Sequence, residues 1–301
     1  MASLINKRFL LKMLSLFSVV RGYNILMIVI AQYLTSAFIL APELPLREVI
    51  FDDNLFFLIL STATVIASGY IINNFYDSEK DLINRPKKTM LDRIVGQRTK
   101  LSVYFILNMV AVFFASYVSF KTVVFFSLYI FAIWFYSHRL KKILFVGNLV
   151  ASIMAIIPFF AVFVYYKNTE TVIFIHATFL YLMIVMRELV KDLENIKGDL
   201  ALNYHTIPVV YGERSSKLFL GILFLISIIP TLLLTQKFNV GYMHYYFYAS
   251  FALLILFMFI LYFSKAKWQY LLLHNILKFI IVAGVFSILL IDPRAILNRV
   301  F

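Results

Sequence analysis

Seven of the 15 acidic residues fall in two short windows: Asp77, Glu79 and Asp81 within 73–81, and Glu188, Asp192, Glu194 and Asp199 within 187–199. The windows share a spacing. The first reads Asn74-x-x-Asp77-x-x-x-Asp81 and the second Asp192-x-x-Asn195-x-x-x-Asp199. On an α-helix, positions i, i+3 and i+7 fall within a stripe about 60° wide. Each window therefore gathers two carboxylates and an amide on one helical face. Like charges crowded on one face repel, and a bound cation is the natural compensation. Oxygen-only donors suit Mg²⁺, which keeps waters and takes one or two carboxylates together with a substrate phosphate. The chain has no Cys, and no His stands at ligand spacing, so zinc is excluded as the expected metal. One Asp-rich helix end by itself reads as a solvated end with ordinary ion pairs; the recurrence of the spacing argues against that here. Basic residues surround the acids. Lys80, Arg85, Lys87, Lys88 and Arg93 accompany the first window, and Arg187, Lys191 and Lys197 interleave with the second. Each alone reads as a lipid-headgroup contact. Interleaved with carboxylates, they make a diphosphate clamp.

The elements that position these groups are membrane spans. Hydrophobic residues make up 62% of the 301 and charged residues 14%, with a mean hydropathy of +0.89. Soluble domains run at about 45–50% apolar and about 25% charged, so a water-soluble globule and a disordered chain are both excluded. Crossing a bilayer takes about 20 mostly apolar residues, and nine such stretches occur, at 15–41, 54–76, 101–119, 121–138, 144–166, 171–190, 216–235, 243–263 and 270–291. Only a short turn near Lys121 separates the third from the fourth. The first stretch is too long for a cleavable signal core. The fold class expected is all-α: a polytopic membrane protein with nine transmembrane helices, forming one domain over 1–301. The net charge of +13 serves as a topology marker rather than a nucleic-acid signal. With the N-terminus inside, 20 Lys and Arg fall in inner segments and 6 in outer ones, Arg47, Lys121, Lys167, Lys237, Arg294 and Arg299. That split predicts a cytoplasmic N-terminus in the cell membrane, with both acidic windows on the cytoplasmic side. Two inner loops, 77–100 and 191–215, are expected to carry the site. Arg21 and Asn24 fall about two turns into the first span, and an intramembrane Arg is a functional candidate by default.

The stretch from Asn73 to Pro86, N-N-F-Y-D-S-E-K-D-L-I-N-R-P, resembles the first aspartate-rich motif of the UbiA-type intramembrane prenyltransferases, N-D-x-x-D-x-x-x-D followed by N-R-P. Arg187 to Asp199, R-E-L-V-K-D-L-E-N-I-K-G-D, looks like the family's second motif, and Thr206-Ile207-Pro208-Val209 with Gly212 continues its tail. Arg21-Gly22-Tyr23-Asn24 is similar to the R-P-x-N of span one, with Gly for Pro. Tyr136-Ser137, Leu140-Lys141 and Gly147-Asn148 resemble the segment between spans four and five. The departures are Asn74 and Asn195, where the family or its close relatives carry Asp.

The resemblance implies nine helices around a central cavity and a Mg²⁺-dependent transfer of a polyprenyl group from its diphosphate to a lipophilic acceptor. It places Asp77, Asp81, Asp192 and Asp199 on Mg²⁺ and the diphosphate, with Asn73, Asn74 and Asn195 in support. Lys88 is expected to grip phosphate oxygens, and Arg139, Lys141 and Lys191 are further basic candidates. Arg21 and Asn24 join the substrate site. Tyr136 is the aromatic candidate for facing the developing allylic cation, which a ring stabilises through its quadrupole. The second motif looks most like the branch that prenylates geranylgeranylglyceryl phosphate; an aromatic acceptor such as a quinone precursor is the alternative. From a different class, a cation transporter stays open, although transporters place ionisable groups near the midplane in broken helices, whereas these carboxylates sit at span ends. No nucleic-acid partner is expected.

Overall fold

The computed structural model describes residues 2–293, with side chains from Leu10 onward; Arg294, Arg299 and the side chains of Lys7 and Arg8 lie outside the described residues. In chain order the helices are α1 (Ala2–Val20), α2 (Gly22–Thr35), α3 (Leu46–Ile50), α4 (Asp53–Asn84), α5 (Pro86–Asp92), α6 (Gln97–Val118), α7 (Phe120–His138), α8 (Val146–Tyr166), α9 (Thr171–Ala201), α10 (Ile207–Leu232), α11 (His244–Phe263) and α12 (Lys267–Ser287). Among the described residues there is no strand. Among the same residues, nine helices are long and apolar enough to cross a membrane: α2 with the π-turn that extends it to Leu40, α4, and α6 to α12. An all-helical build follows from the solvent: in hydrocarbon every backbone N–H and C=O must be satisfied within its own segment. The outward-facing residues match, with Met109, Phe120, Leu128, Phe259 and Tyr262 exposed.

Two expectations are corrected. The stretches read as inner loops, 77–100 and 191–215, are mostly helical. α4 has 32 residues and α9 has 31, about 46–48 Å at 1.5 Å per residue, against a hydrocarbon core of about 30 Å. Each helix therefore outruns the bilayer and carries its acidic window on the overhang. α4 stops where Pro86 forbids its continuation; Arg85 leaves the helical region (φ −142°, ψ 61°) and Pro86 opens α5 as a first-turn residue. The first span also starts later than hydropathy suggested, at Gly22. Arg21 takes a left-handed conformation (φ 53°) that ends α1, so Arg21 sits at a helix break ahead of the span rather than two turns inside it. The turn near Lys121 is confirmed: Ser119 is extended and its Oγ accepts the Thr122 N–H at 3.2 Å, capping α7.

The chain divides into two compact units, Met1–Val29 with Asp53–Leu140, and Ile30–Asp52 with Lys141–Phe301. In the first, α4 packs against α6 and α7, and α1 lies against α4 and α5. Val19, Ile71, Ile72 and Tyr104 form a buried cluster where α1, α4 and α6 meet. In the second, α9 is the central element, flanked by α8, α10 and α12.

Candidate active site

The first acidic window belongs to the first unit. Tyr70, Asn74, Asp77 and Asp81 recur at the spacing that keeps them on one side of α4. Asp77 is buried and Asp81 half-buried. Arg21 and Asn24 join this face through Tyr70: the Arg21 guanidinium lies 5.2 Å from the Tyr70 ring centroid, and Asn24 Nδ2 donates to the Tyr70 hydroxyl at 3.1 Å. The helix break at Arg21 makes this approach. Asn73, half-buried, points about 100° away around the helix.

Beneath this face lies a polar network that the acidic windows did not reveal. Asp92, the last residue of α5, is buried and accepts from Ser18 Oγ at 2.9 Å and from Asn74 Nδ2 at 3.1 Å. Lys88 Nζ stands 3.9 Å from Asp92, one helical turn back. Lys100 is only 1% exposed and donates to Asn74 Oδ1 at 2.8 Å. In the sequence Lys100 counts only as one more inner positive charge, and Asp92 lies outside both windows.

The second window belongs to the second unit and stands on the last turns of α9. Asp192 and Asn195 are buried, and Asp199 is 0% exposed. Asn148 Nδ2 donates to Asp192 Oδ2 at 2.7 Å. Asn148 reaches it because α8 starts hard against the preceding turn: a Cβ on Gly147 would meet the Lys141 carbonyl oxygen at 2.9 Å, so only glycine fits. Thr206 Oγ1 donates to Asp199 Oδ2 at 3.4 Å, and the Tyr204 N–H bonds the Asp199 carbonyl at 2.9 Å. The Thr-Ile-Pro sequence thus returns the chain to the acidic face and opens α10 with Pro208 in its first turn. Further along, Gly212 adopts φ 79° and kinks α10, a conformation that favours glycine.

The remaining candidates are placed as follows. Lys191 Nζ pairs with Glu188, whose other neighbour, Arg187, is 3.6 Å away; Lys191 is therefore half of an ion pair on α9. Tyr136 is half-buried on α7 and Arg139, just after that helix, is exposed. Lys141 is buried in the short turn Leu140–Lys142. Asn148, Thr206, Asp92, Lys100 and Tyr70 were not singled out as site residues by their spacing. Asn148 and Thr206 had a signal in the motif-like stretches that contain them; the other three had none.

Among the described residues, no three His, Asp or Glu side chains gather into a group able to hold a metal alone. The donor set nevertheless fits a cation that is shared with a substrate. Asn195 Nδ2 donates to the Lys191 carbonyl at 2.7 Å, while its Oδ1 is buried and accepts no hydrogen bond. A buried acceptor left open between two carboxylates on one face matches a hard cation that completes its shell with water and phosphate.

Comparison with known proteins identifies the family. The UbiA prenyltransferase family model matches residues 25–295. The digeranylgeranylglyceryl phosphate synthase of Methanobrevibacter smithii is 28% identical over 238 residues, 75% of this chain and 80% of that protein. The synthase of the same name from Methanosphaera stadtmanae is 30% identical over 178 residues, 58% of this chain and 65% of that protein. Among solved structures, a UbiA homolog from Archaeoglobus fulgidus bound to GPP and Mg²⁺ superposes with a TM-score of 0.67 at 13% identity, covering 91% of this chain and 99% of the other. At that identity the likeness is one of fold.

Proposed function

The chain belongs to the UbiA prenyltransferase family, and from that premise we propose that it transfers a polyprenyl group from its diphosphate to the glycerol hydroxyl of geranylgeranylglyceryl phosphate. The observation that carries the reading is the buried face of α9, where Asp192 and Asp199 flank the open Oδ1 of Asn195. The relatives named digeranylgeranylglyceryl phosphate synthase support the acceptor, and the GPP and Mg²⁺ held by the A. fulgidus homolog support the donor and the metal.

In this reading Asp77 and Asp81 on α4 would each be a Mg²⁺ ligand, and so would Asp192, Asp199 and Asn195 on α9. The metal supplies neutralisation of charge on the departing diphosphate. Asn148 and Thr206 orient Asp192 and Asp199, as partners behind ligating carboxylates do. Lys88 and Arg21 bind phosphate oxygens, with Arg139 and Lys141 as further cations. Tyr136 faces the allylic carbon, and the apolar helices keep water from it. The N-terminus and both windows face the cytoplasm, in keeping with the 20 to 6 distribution of Lys and Arg.

The test incubates purified protein with Mg²⁺ and labelled geranylgeranyl diphosphate, offering geranylgeranylglyceryl phosphate and aromatic acceptors in parallel. A labelled ether lipid is expected. Product on the aromatic acceptor alone overturns the acceptor assignment, and ion flux with no prenyl product overturns the enzyme.

Lys88 adds a pH dependence. Burial holds its ammonium below the usual lysine value; Arg21 and Arg85 push the same way, and Asp92 and Asp81 push against them. A lysine with a lowered value loses its proton earlier as pH rises, so the phosphate grip it provides weakens at a pH where an ordinary lysine, near about 10.4, is still charged. The KM for prenyl diphosphate is expected to climb on the alkaline side in the parent and to stay level in Lys88→Arg, whose guanidinium keeps its charge. Parallel profiles for the two proteins would remove Lys88 from the site.

A further inference from the structure

The two amides that share the i, i+3, i+7 spacing with the aspartates are in opposite states. Asn195 keeps a buried oxygen unengaged. Asn74 spends both ends: Oδ1 accepts from Lys100 Nζ at 2.8 Å, and Nδ2 donates to Asp92 Oδ2 at 3.1 Å. Lysine can only donate and an ionised carboxylate can only accept, so these neighbours fix the orientation of the amide. They also fix its chemistry. Position 74 must accept on one side and donate on the other. An ionised aspartate there would set two like-charged oxygens at hydrogen-bond distance and leave Asp92 one donor short. The remaining contacts close the network: Ser18 Oγ bonds the other Asp92 oxygen at 2.9 Å, and Lys88 stands 3.9 Å from the first. Asn74, Asp92 and Lys100 are all buried, and of the four Lys88 opens to solvent, with 38% of its side chain exposed.

We propose that Asn74 is a positioning residue rather than a metal or substrate ligand: it bridges Lys100 of α6 to Asp92 of α5, fixing α5 and its Lys88 against α4. The carboxylates on this face of α4 are then Asp77 and Asp81. This also accounts for the asparagine where the family motif carries aspartate: a charged bridge partner on each side requires a group that both donates and accepts. Buried charges hold their place only when each is paired and hydrogen-bonded, and Asn74 touches both Lys100 and Asp92. The role of Lys88 on the diphosphate rests on the function proposed above; the bridge itself does not.

The test is a swap of the two partners in the purified full chain, read by thermal midpoint and by titration with Mn²⁺ alone. Asn74→Asp is expected to lower the midpoint by about 5 °C, and Asp92→Asn to lower it as well. In the double variant the carboxylate at position 74 accepts from Lys100 and from the amide at position 92, so its midpoint returns to within about 2 °C of the parent. Mn²⁺ affinity stays within about threefold of the parent in Asn74→Asp and in the double variant, because the new carboxylate faces Lys100. A merely space-filling role would give no rescue. The proposal is overturned if the double variant is no more stable than Asn74→Asp, or if Asn74→Asp binds Mn²⁺ about tenfold more tightly. Asp77→Asn, run alongside, separates the two readings: unchanged Mn²⁺ binding there counts against the metal site of the proposed function and leaves the swap result to decide the bridge.

Discussion

Asp77→Ala and Asp192→Ala are each expected to abolish Mg²⁺-dependent prenyl transfer while the protein still folds. Neutralising a departing diphosphate is worth several kcal/mol of barrier, and losing about 4 kcal/mol slows the reaction about a thousandfold. Asp77 lies one turn from Asp81 on α4, and like charges at that spacing repel, so its removal relieves that repulsion. Asp192 takes the Asn148 amide at 2.7 Å in a buried setting. Leaving that donor without its carboxylate costs about 1–3 kcal/mol. Labelled-product assays paired with thermal unfolding in detergent read both effects. Turnover within about tenfold of the parent in either variant sinks the metal assignment.

Lys100→Met is the second large effect, and it falls on stability. A surface lysine at the start of a span costs little to replace, typically within about 0.5 kcal/mol, and exposed Lys121 is the internal control. Lys100 is 1% exposed and hydrogen-bonded to Asn74. Methionine there leaves the Asn74 oxygen without its donor and takes a buried cation away from Asp92. Breaking a buried charged network from one side costs about 3–5 kcal/mol. Denaturant or thermal unfolding of Lys100→Met beside Lys121→Met checks it; equal stability in the two would show that Lys100 is no more than a topology charge.

Much of the architecture is legible without coordinates because it is set by short-range rules. Apolar runs of bilayer length specify nine spans among the described residues, and the i, i+3, i+7 spacing puts Asp77 and Asp81, and Asp192 and Asp199, on single faces of α4 and α9. Boundaries are less legible. Hydropathy ends a span where charge begins, so it stops short of the overhangs of α4 and α9 and reads them as loops. It also runs through Arg21, since a left-handed residue leaves no mark in an apolar average.

The number of helices, the faces that carry the acids and the family motif they resemble can all be read along the chain, because periodicity and hydropathy are properties of neighbouring residues. Which polar atoms are already spent cannot be read that way. Asn74 and Asn195 look alike in the sequence, an amide beside two aspartates in each window. They part because a hydrogen bond depends on what the fold brings within about 3 Å: Lys100 and Asp92 close over Asn74 from 26 and 18 residues away, and nothing described closes over the oxygen of Asn195.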